Sequence, residues 1–478
     1  MWPKPSSSSA LVFSKPWEPA CNLVVQWSMR RWVWVGWVCA GVMGCVSGGV
    51  GQRGAQTACP EPCPTARELE DPAGSFERAR AAGTLDAKTC RRHVAAFDRA
   101  FALTGDVEHR FNAGVALEMC GTSEQAKAAY SDVVRLDPNF GLAYNNLGSI
   151  AYRDGQTDEA IRLYRRAYRG RGRPLPPWFN LAHVYRARYL ESGNVADFDE
   201  AQRSLQAVLA LDSDNLTAYE GLARLYYERA VAGDRSYALL ADLVVTQAHR
   251  RATATGRTSA ELWNIQGLLA LQGEEPTRAL RAFEKAIDLD PQHVDARLNA
   301  ALLELELRNF ASAEENLEVA QGLGTGARKY EAALALGVAK RGTRDFSAAE
   351  QEYAKAFELN GADPRPLYNA GVLYQEHVAP QSDGDGVPEG ETATAYFERF
   401  TKMARKDPQY SDAVAEAHHR MANLVEYASF IGVQHQLEAD AAKLEALHRA
   451  ELEARREELL ELERSAKQAL DEEAGANR

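Results

Sequence analysis

Residues 260–293 read AELWNIQGLLALQGEEPTRALRAFEKAIDLDPQH. Numbered from Ala260, this 34-residue stretch has Trp263 at position 4, Gly267 at 8, Ala279 at 20, Phe283 at 24, Ala286 at 27 and Pro291 at 32. The arrangement describes two helices joined by a turn. Small residues at 8, 20 and 27 allow close approach, large ones at 4 and 24 fill the gap, and the proline stops the second helix. Such a unit cannot bury its apolar face alone, so copies must stack.

The same frame recurs on both sides. Residues 107–140 put Gly114, Gly121, Ala126, Tyr130 and Pro138 in register, and a unit from Gly141 follows without a gap, with Leu147, Gly148, Gly155, Ala160, Tyr164 and Ala167. A third opens with Trp178, Leu181 and Tyr185, carries extra residues at 192–197 and resumes at Ala201, Leu205 and Val208. A fourth begins with Tyr219, Leu222 and Tyr226 and loses the frame between Arg229 and Ser259. Ala313 and Ala320 mark a weaker unit from Val294; Leu336, Gly337, Ala349, Tyr353 and Ala356 mark a clear one. The last starts at Leu367, Ala370, Gly371 and Tyr374 before a Gly/Asp/Glu/Pro-rich interruption at 380–394.

This pattern resembles the tetratricopeptide (TPR) repeat. The resemblance implies an all-α, right-handed superhelical solenoid that binds other proteins, with about eight repeats over residues 107–408. Residues 65–106 read as a helical N-terminal cap or a degenerate repeat, Phe97 and Ala100 marking its second helix. Residues 409–478 read as a long C-terminal capping and charged helix, in which Leu452, Leu459 and Ala466 stand seven apart beside Leu462 and Ala469. Two heptads fall short of the three or four that define a coiled coil.

The front of the chain has a different character. Met29-Arg30-Arg31 precedes an apolar run at 32–43 and then Val42-Met43-Gly44-Cys45, the layout of a secretory signal. The run is too short to span a bilayer, which takes roughly 20 residues. A small residue directly before cysteine resembles the bacterial lipobox, which implies lipidation of Cys45. Residues 1–44 are thus a signal region whose translation is expected to start at Met29. Residues 45–64 are the lipidated cysteine and a Gly/Pro-rich flexible tether.

The chain of 478 residues is 26% charged and 45% hydrophobic, with a net charge of −12. An acidic balance of this size disfavours general nucleic-acid binding. One dense cationic run, Arg162 to Arg173, reads either as a solvated helix face or as a docking point for an acidic partner or lipid headgroups. Of seven cysteines, Cys21 and Cys39 precede Cys45, leaving Cys59, Cys63, Cys90 and Cys120. These allow three pairings, of which Cys59–Cys63 with Cys90–Cys120 is favoured because the latter two lie on consecutive helical elements. Cys59 and Cys63 have no second Cys/His pair at zinc spacing, so no metal is expected.

The sequence lacks a P-loop, a dinucleotide fingerprint, a nucleophile elbow and a zinc-protease helix. His418-His419 point about 100° apart on a helix and read as surface residues. No enzyme, cofactor or small-molecule substrate is expected. In TPR proteins the first helix of each repeat lines the concave face, with position 6 at its edge. Here position 6 is asparagine at Asn112, Asn146, Asn180, Asn299 and Asn369. Either these amides bond the backbone of an extended peptide, or asparagine serves close helix packing. Phe111, Tyr152, Phe179, Tyr227 and Tyr368 are candidate anchors on the same face. A basic carboxylate clamp is not matched, since these groove positions are asparagine, aromatic and aliphatic.

A lipobox cysteine, a tether and TPR units together resemble the TPR lipoproteins of Gram-negative envelopes, and within them the TPR component of myxobacterial adventurous gliding motility. That implies a non-enzymatic envelope scaffold with periplasmic and outer-membrane protein partners. Valine rather than aspartate at position 46 points to a lipid anchor on the periplasmic face of the outer membrane. A pilotin-like assembly lipoprotein and a regulator of a peptidoglycan enzyme are the alternatives.

Overall fold

The computed structural model describes residues 64–378 and 392–476. Signal region, Cys45, Cys59, Cys63 and most of the 380–394 interruption lie outside them. Among the described residues there are helices and no strand. The chain divides between Ala296 and Arg297 into two compact units.

In the N-terminal unit a cap of three helices, α1 (Ala66–Glu70), α2 (Pro72–Ala81) and α3 (Ala87–Thr104), precedes the paired ones. Its core is Phe76 against Phe97, with ring centroids 5.9 Å apart. Thr65 and Glu68 cap α1 reciprocally, and buried Glu68 lies 3.3 Å from Arg92 of α3. Five helix pairs follow: α4 (Val107–Met119) with α5 (Ser123–Leu136), α6 (Gly141–Arg153) with α7 (Thr157–Ala167), and α8 (Pro176–Ser192) with α9 (Val195–Leu211). Then come α10 (Leu216–Val231) with α11 (Ser236–Ala254) and α12 (Ala260–Gln272) with α13 (Pro276–Leu289). Cys90 of α3 is disulfide-bonded to Cys120 at the end of α4, with Cα atoms 6.1 Å apart.

The C-terminal unit continues from α14 (Val294–Glu306), within which the division falls. There α15 (Phe310–Leu323) packs on α16 (Gly326–Gly342), α16 on α17 (Phe346–Leu359), and α18 (Arg365–Leu373) on α19 (Ala393–Ala404). The last element, α20 (Ser411–Ala476), is one helix of 66 residues.

The repeat motif resolves into one contact made five times. A Cβ on Gly114, Gly148, Gly267, Gly337 or Gly371 would lie less than 3 Å from the ring of Tyr130, Tyr164, Phe283, Tyr353 or Phe397 respectively. Position 8 is therefore empty because the position-24 ring occupies its space, and a side chain there would force apart a close-packed pair. In four pairs the partners are sixteen residues apart; in the fifth, twenty-six. The 380–394 interruption thus enters the turn and leaves the ring where the repeat needs it.

Position 15 shows the cost of the turn. Gly121 and Gly155 there have φ of 77° and 76°, but Glu274, Arg308 and Arg344 occupy the same position at 60°, 61° and 68°. Left-handed backbone is strained for a residue with a Cβ. Three of the five turns are therefore held by helix packing against their own local preference. Where the frame fades, after Arg229, α11 is nevertheless a continuous helix that packs through Ala241, Val245, Ala248 and Ala252 and leaves Leu239 and Leu243 exposed.

Candidate partner-binding face

The first helices of successive pairs touch in order, α6 to α8, α8 to α10 and α10 to α12. Residues one repeat apart in sequence therefore meet across this inner face. Arg186 of α8 engages both carboxylate oxygens of Glu228 on α10, its Nε at 2.7 Å. Arg224 of α10 pairs with Glu261 of α12, and Glu261 lies 3.2 Å from His293 Nε2. Ser259, whose hydroxyl also caps α12, donates to Glu220 of α10 at 2.6 Å. All of these charged groups and His293 remain partly exposed.

Their titration reflects the crowding. Burial would raise the Glu261 carboxyl, but Arg224 and His293 outweigh it and hold it at about 2. Burial would lower the His293 imidazole, and Glu261 reverses that so the net shift is upward. Burial raises Glu220, against the opposing bond from Ser259. Burial, helped by Arg186, lowers His183 of α8 to about 4, so it is neutral at pH 7. The ladder thus has Arg186 matched by Glu228 and Arg224 by Glu261. It presents oriented hydrogen-bonding groups and offers no free arginine pair to clamp a chain-terminal carboxylate.

Aromatic groups accompany it. Tyr152 packs edge-on to His183, centroids 5.6 Å apart. Tyr227 is half-buried beside Glu228, and burial followed by that carboxylate pushes its phenol up to about 12. Phe179 is half-buried against the core of α6 to α11. In the C-terminal unit Tyr368 packs on Phe397 and Phe400 at 5.8 and 5.1 Å.

The asparagine ladder and one aromatic need correction. Asn146, Asn299 and Asn369 are buried, and Phe111 belongs to the core with Tyr130 and Phe140. None of these four side chains is presented to a partner. Asn180 donates to Asn145 Oδ1 at 2.8 Å across α6 and α8, and Asn145 donates to Asn146 at 3.3 Å. Asn369 donates to the Arg365 carbonyl. In the α6–α8 relay the amides act as packing between neighbouring first helices, where a buried polar group must find a partner. Asn112 and Asn180 remain partly accessible. The expectation of an asparagine, aromatic and aliphatic groove also missed Arg186, Glu228, Arg224, Glu261 and His293. The available signal was opposite charge, on first helices or just before one, separated by 42, 37 and 32 residues, about one repeat.

The arginine run forms a second surface. Arg162, Arg165, Arg166 and Arg169 join Tyr144, Tyr185 and Arg188 around an open depression of about 720 Å³. Most of its charge is locally matched. Arg162 binds Glu159 at 2.8 Å, Arg165 lies 3.6 Å from Glu200, and Arg188 lies 3.3 and 3.4 Å from Asp158 and Asp197. Arg166 reaches the Pro138 carbonyl at 3.0 Å and lies over Tyr144, while Arg169 lies over Tyr168.

Among the described residues no cluster of three or more His, Cys, Asp and Glu side chains could hold a metal ion, and no helix is long and apolar enough to cross a membrane.

The tetratricopeptide repeat family model matches residues 121–174, which hold the α6–α7 pair, and 266–328, which run from within α12 to the start of α16. Over those two stretches the chain carries tetratricopeptide repeats. This repeat protein is also 24% identical over 285 residues to protein O-mannosyl-transferase TMTC3 of Homo sapiens, covering 55% of this chain and 29% of that one. It therefore spans under a third of the length of that curated relative. Among solved structures, the repeat protein is similar to the APC/C hetero-tetramer Cut9-Hcn1 (TM-score 0.42, 14% identity, 68% of this chain and 59% of that one). It is similar too to a tetratricopeptide repeat protein from Parabacteroides merdae (0.40, 16%, 53% and 93%) and to pilF of Pseudomonas aeruginosa (0.33, 17%, 57% and 97%).

Proposed function

We propose that the protein is a non-enzymatic scaffold that holds an extended segment of a partner protein on the inner face of α6, α8, α10 and α12. The observation that carries this reading is the row of partly exposed, already paired charges beside Tyr152, His183 and Tyr227. Pre-ordered donors, acceptors and aromatic rings lower the entropy that a bound peptide must overcome. A photo-crosslinking residue at 227 should trap partners in native envelopes, whereas one at exposed 239 on α11 should not. Equal labelling at both positions would remove the inner face from consideration.

Location is part of the proposal. The run from Met29 to Cys45 supports export and lipid anchoring, and the pairing of Cys90 with Cys120 suits an oxidising compartment. The proposed site is the periplasmic face of the outer membrane, within the trans-envelope gliding machinery. Cys45→Ala should release a folded protein from membranes. Retention of that variant in the membrane fraction would defeat the anchor, and crosslinked partners unrelated to motility would defeat the motility assignment alone.

A further inference from the structure

The depression around the arginine run holds more cation than its neighbourhood answers. Five guanidiniums surround it, from Arg162, Arg165, Arg166 and Arg169 on α7 and its end, and from Arg188 on α8. Four carboxylates, Asp158, Glu159, Asp197 and Glu200, pair with three of them, Arg162, Arg165 and Arg188. Glu200 is shared with Arg203. Arg166 and Arg169 are exposed and have no carboxylate partner among the described residues. A helix C-terminus such as that of α7 favours cations in its last turn, which leaves Arg162 and Arg188 unexplained. Ion pairs this exposed contribute little, so an incoming carboxylate meets little competition.

Tyrosine rings hold the guanidiniums in place. Arg166 lies 5.7 Å over Tyr144, and Arg165 and Arg188 lie 5.9 and 6.0 Å over Tyr185. The Tyr185 hydroxyl also accepts from Arg165 at 2.8 Å. A guanidinium over a ring face still has N–H groups at its edge for a carboxylate. Its fixed position lowers the ordering cost of binding.

The layout selects the partner. Arg162, Arg165 or Arg166, and Arg169 follow at steps of three and four residues, a row of roughly 10 Å. A single phosphate group would need several cations converging on one point. An anionic membrane plane would meet Asp158, whose side chain is 97% exposed, together with the arginines. An extended chain places every second side chain on one side, about 6.5–7 Å apart. That is near the roughly 5–6 Å between side chains one helical turn apart. We propose that this depression binds an extended acidic segment of a partner protein, with Glu or Asp at alternate positions along α7. None of its residues belongs to the ladder from Arg186 to His293, so the proposal does not depend on the inner-face reading.

The test is fluorescence anisotropy of a fluorescein-labelled peptide of alternating Glu and Ser, against the full chain carrying Cys45→Ala. The expected dissociation constant is on the order of 10–100 μM at low salt, weakening as salt rises. The same peptide with Gln for Glu should not bind. Arg166→Ala with Arg169→Ala should weaken binding roughly 10-fold or more. Arg250→Ala with Arg281→Ala, the same loss of charge at exposed positions elsewhere in the N-terminal unit, should leave it unchanged. Arg169→Ala alone spares the Arg166 bond to the Pro138 carbonyl, and should itself weaken binding at an unchanged thermal midpoint. Failure of the Glu peptide to bind, or equal weakening by the two double variants, would overturn the site. Complete displacement by inorganic phosphate, where chloride of equal ionic strength displaces little, would overturn the acidic segment as its occupant. So would binding to phosphatidylglycerol vesicles through Arg166 and Arg169 while the peptide stays unbound.

Discussion

Gly267 and Gly432 both sit inside helices, and their surroundings have nothing in common. A Cβ at 267 would collide with the ring of Phe283, while one at 432 would meet nothing within 4 Å. The first glycine is part of a helix pair whose partner follows in sequence. The second lies on the stretch of α20 that has left its own core. A motif residue is therefore informative when the repeat supplies the surface it packs on. The same residue type on α20 meets no described neighbour within 4 Å.

Gly267→Trp is the hardest blow to the packed region, with an expected loss of about 3 kcal/mol or more from overcrowding. Gly432→Trp should leave a thermal melt almost unchanged. Equal midpoints for the two variants would break the comparison. Cys90→Ser removes a cross-link spanning 30 residues, and chemical denaturation should show a loss of about 3 kcal/mol that reductant reproduces in the parent chain.

The inner face gives a pH signature that the exposed helix should lack. His183, lowered to about 4, costs stability as pH falls from about 6.5 toward 4, because the unfolded chain takes up the proton first. His293, raised by Glu261, contributes stability fully present below about 6.5 and lost as pH rises through its folded value. The His183 effect should amount to roughly 1–3 kcal/mol after allowance for solvent. His183→Gln should flatten the acid side of a midpoint-against-pH curve, and Glu261→Gln the alkaline side. A curve that both substitutions leave unchanged would show that the ladder is not closed in solution. The smallest expected change is Glu274→Gly, which should gain about 0.5–1 kcal/mol by relieving the positive φ. A loss in its melt would mean that the Glu274 side chain contributes more than the turn strain costs.

Much of the solenoid was legible because its decisive contacts are local. The glycine at position 8 and the ring at position 24 belong to adjacent helices, and a fixed separation of sixteen residues repeats along the chain. Even the interrupted last pair was readable from Gly371 and the aromatic residues beyond the insertion. The inner face was harder. Asn146 and Asn180 looked alike in sequence, yet one is buried and the other partly exposed. Phe111 and Tyr152 likewise divide between core and face. A few tens of degrees of rotation about a helix axis decide such cases, and a register counted in whole residues cannot resolve them.

By itself, then, the sequence determined the repeat, the helix pairs and the long terminal helix. These follow from periodicity, small-residue placement and proline, which act within one unit. Only the tertiary structure decided that Arg186 meets Glu228, that Arg224 and His293 share Glu261, and that the far part of α20 is exposed among the described residues. Those outcomes depend on how one unit's first helix lies against the next. That relation is fixed by the summed packing of many side chains, and no single position records it.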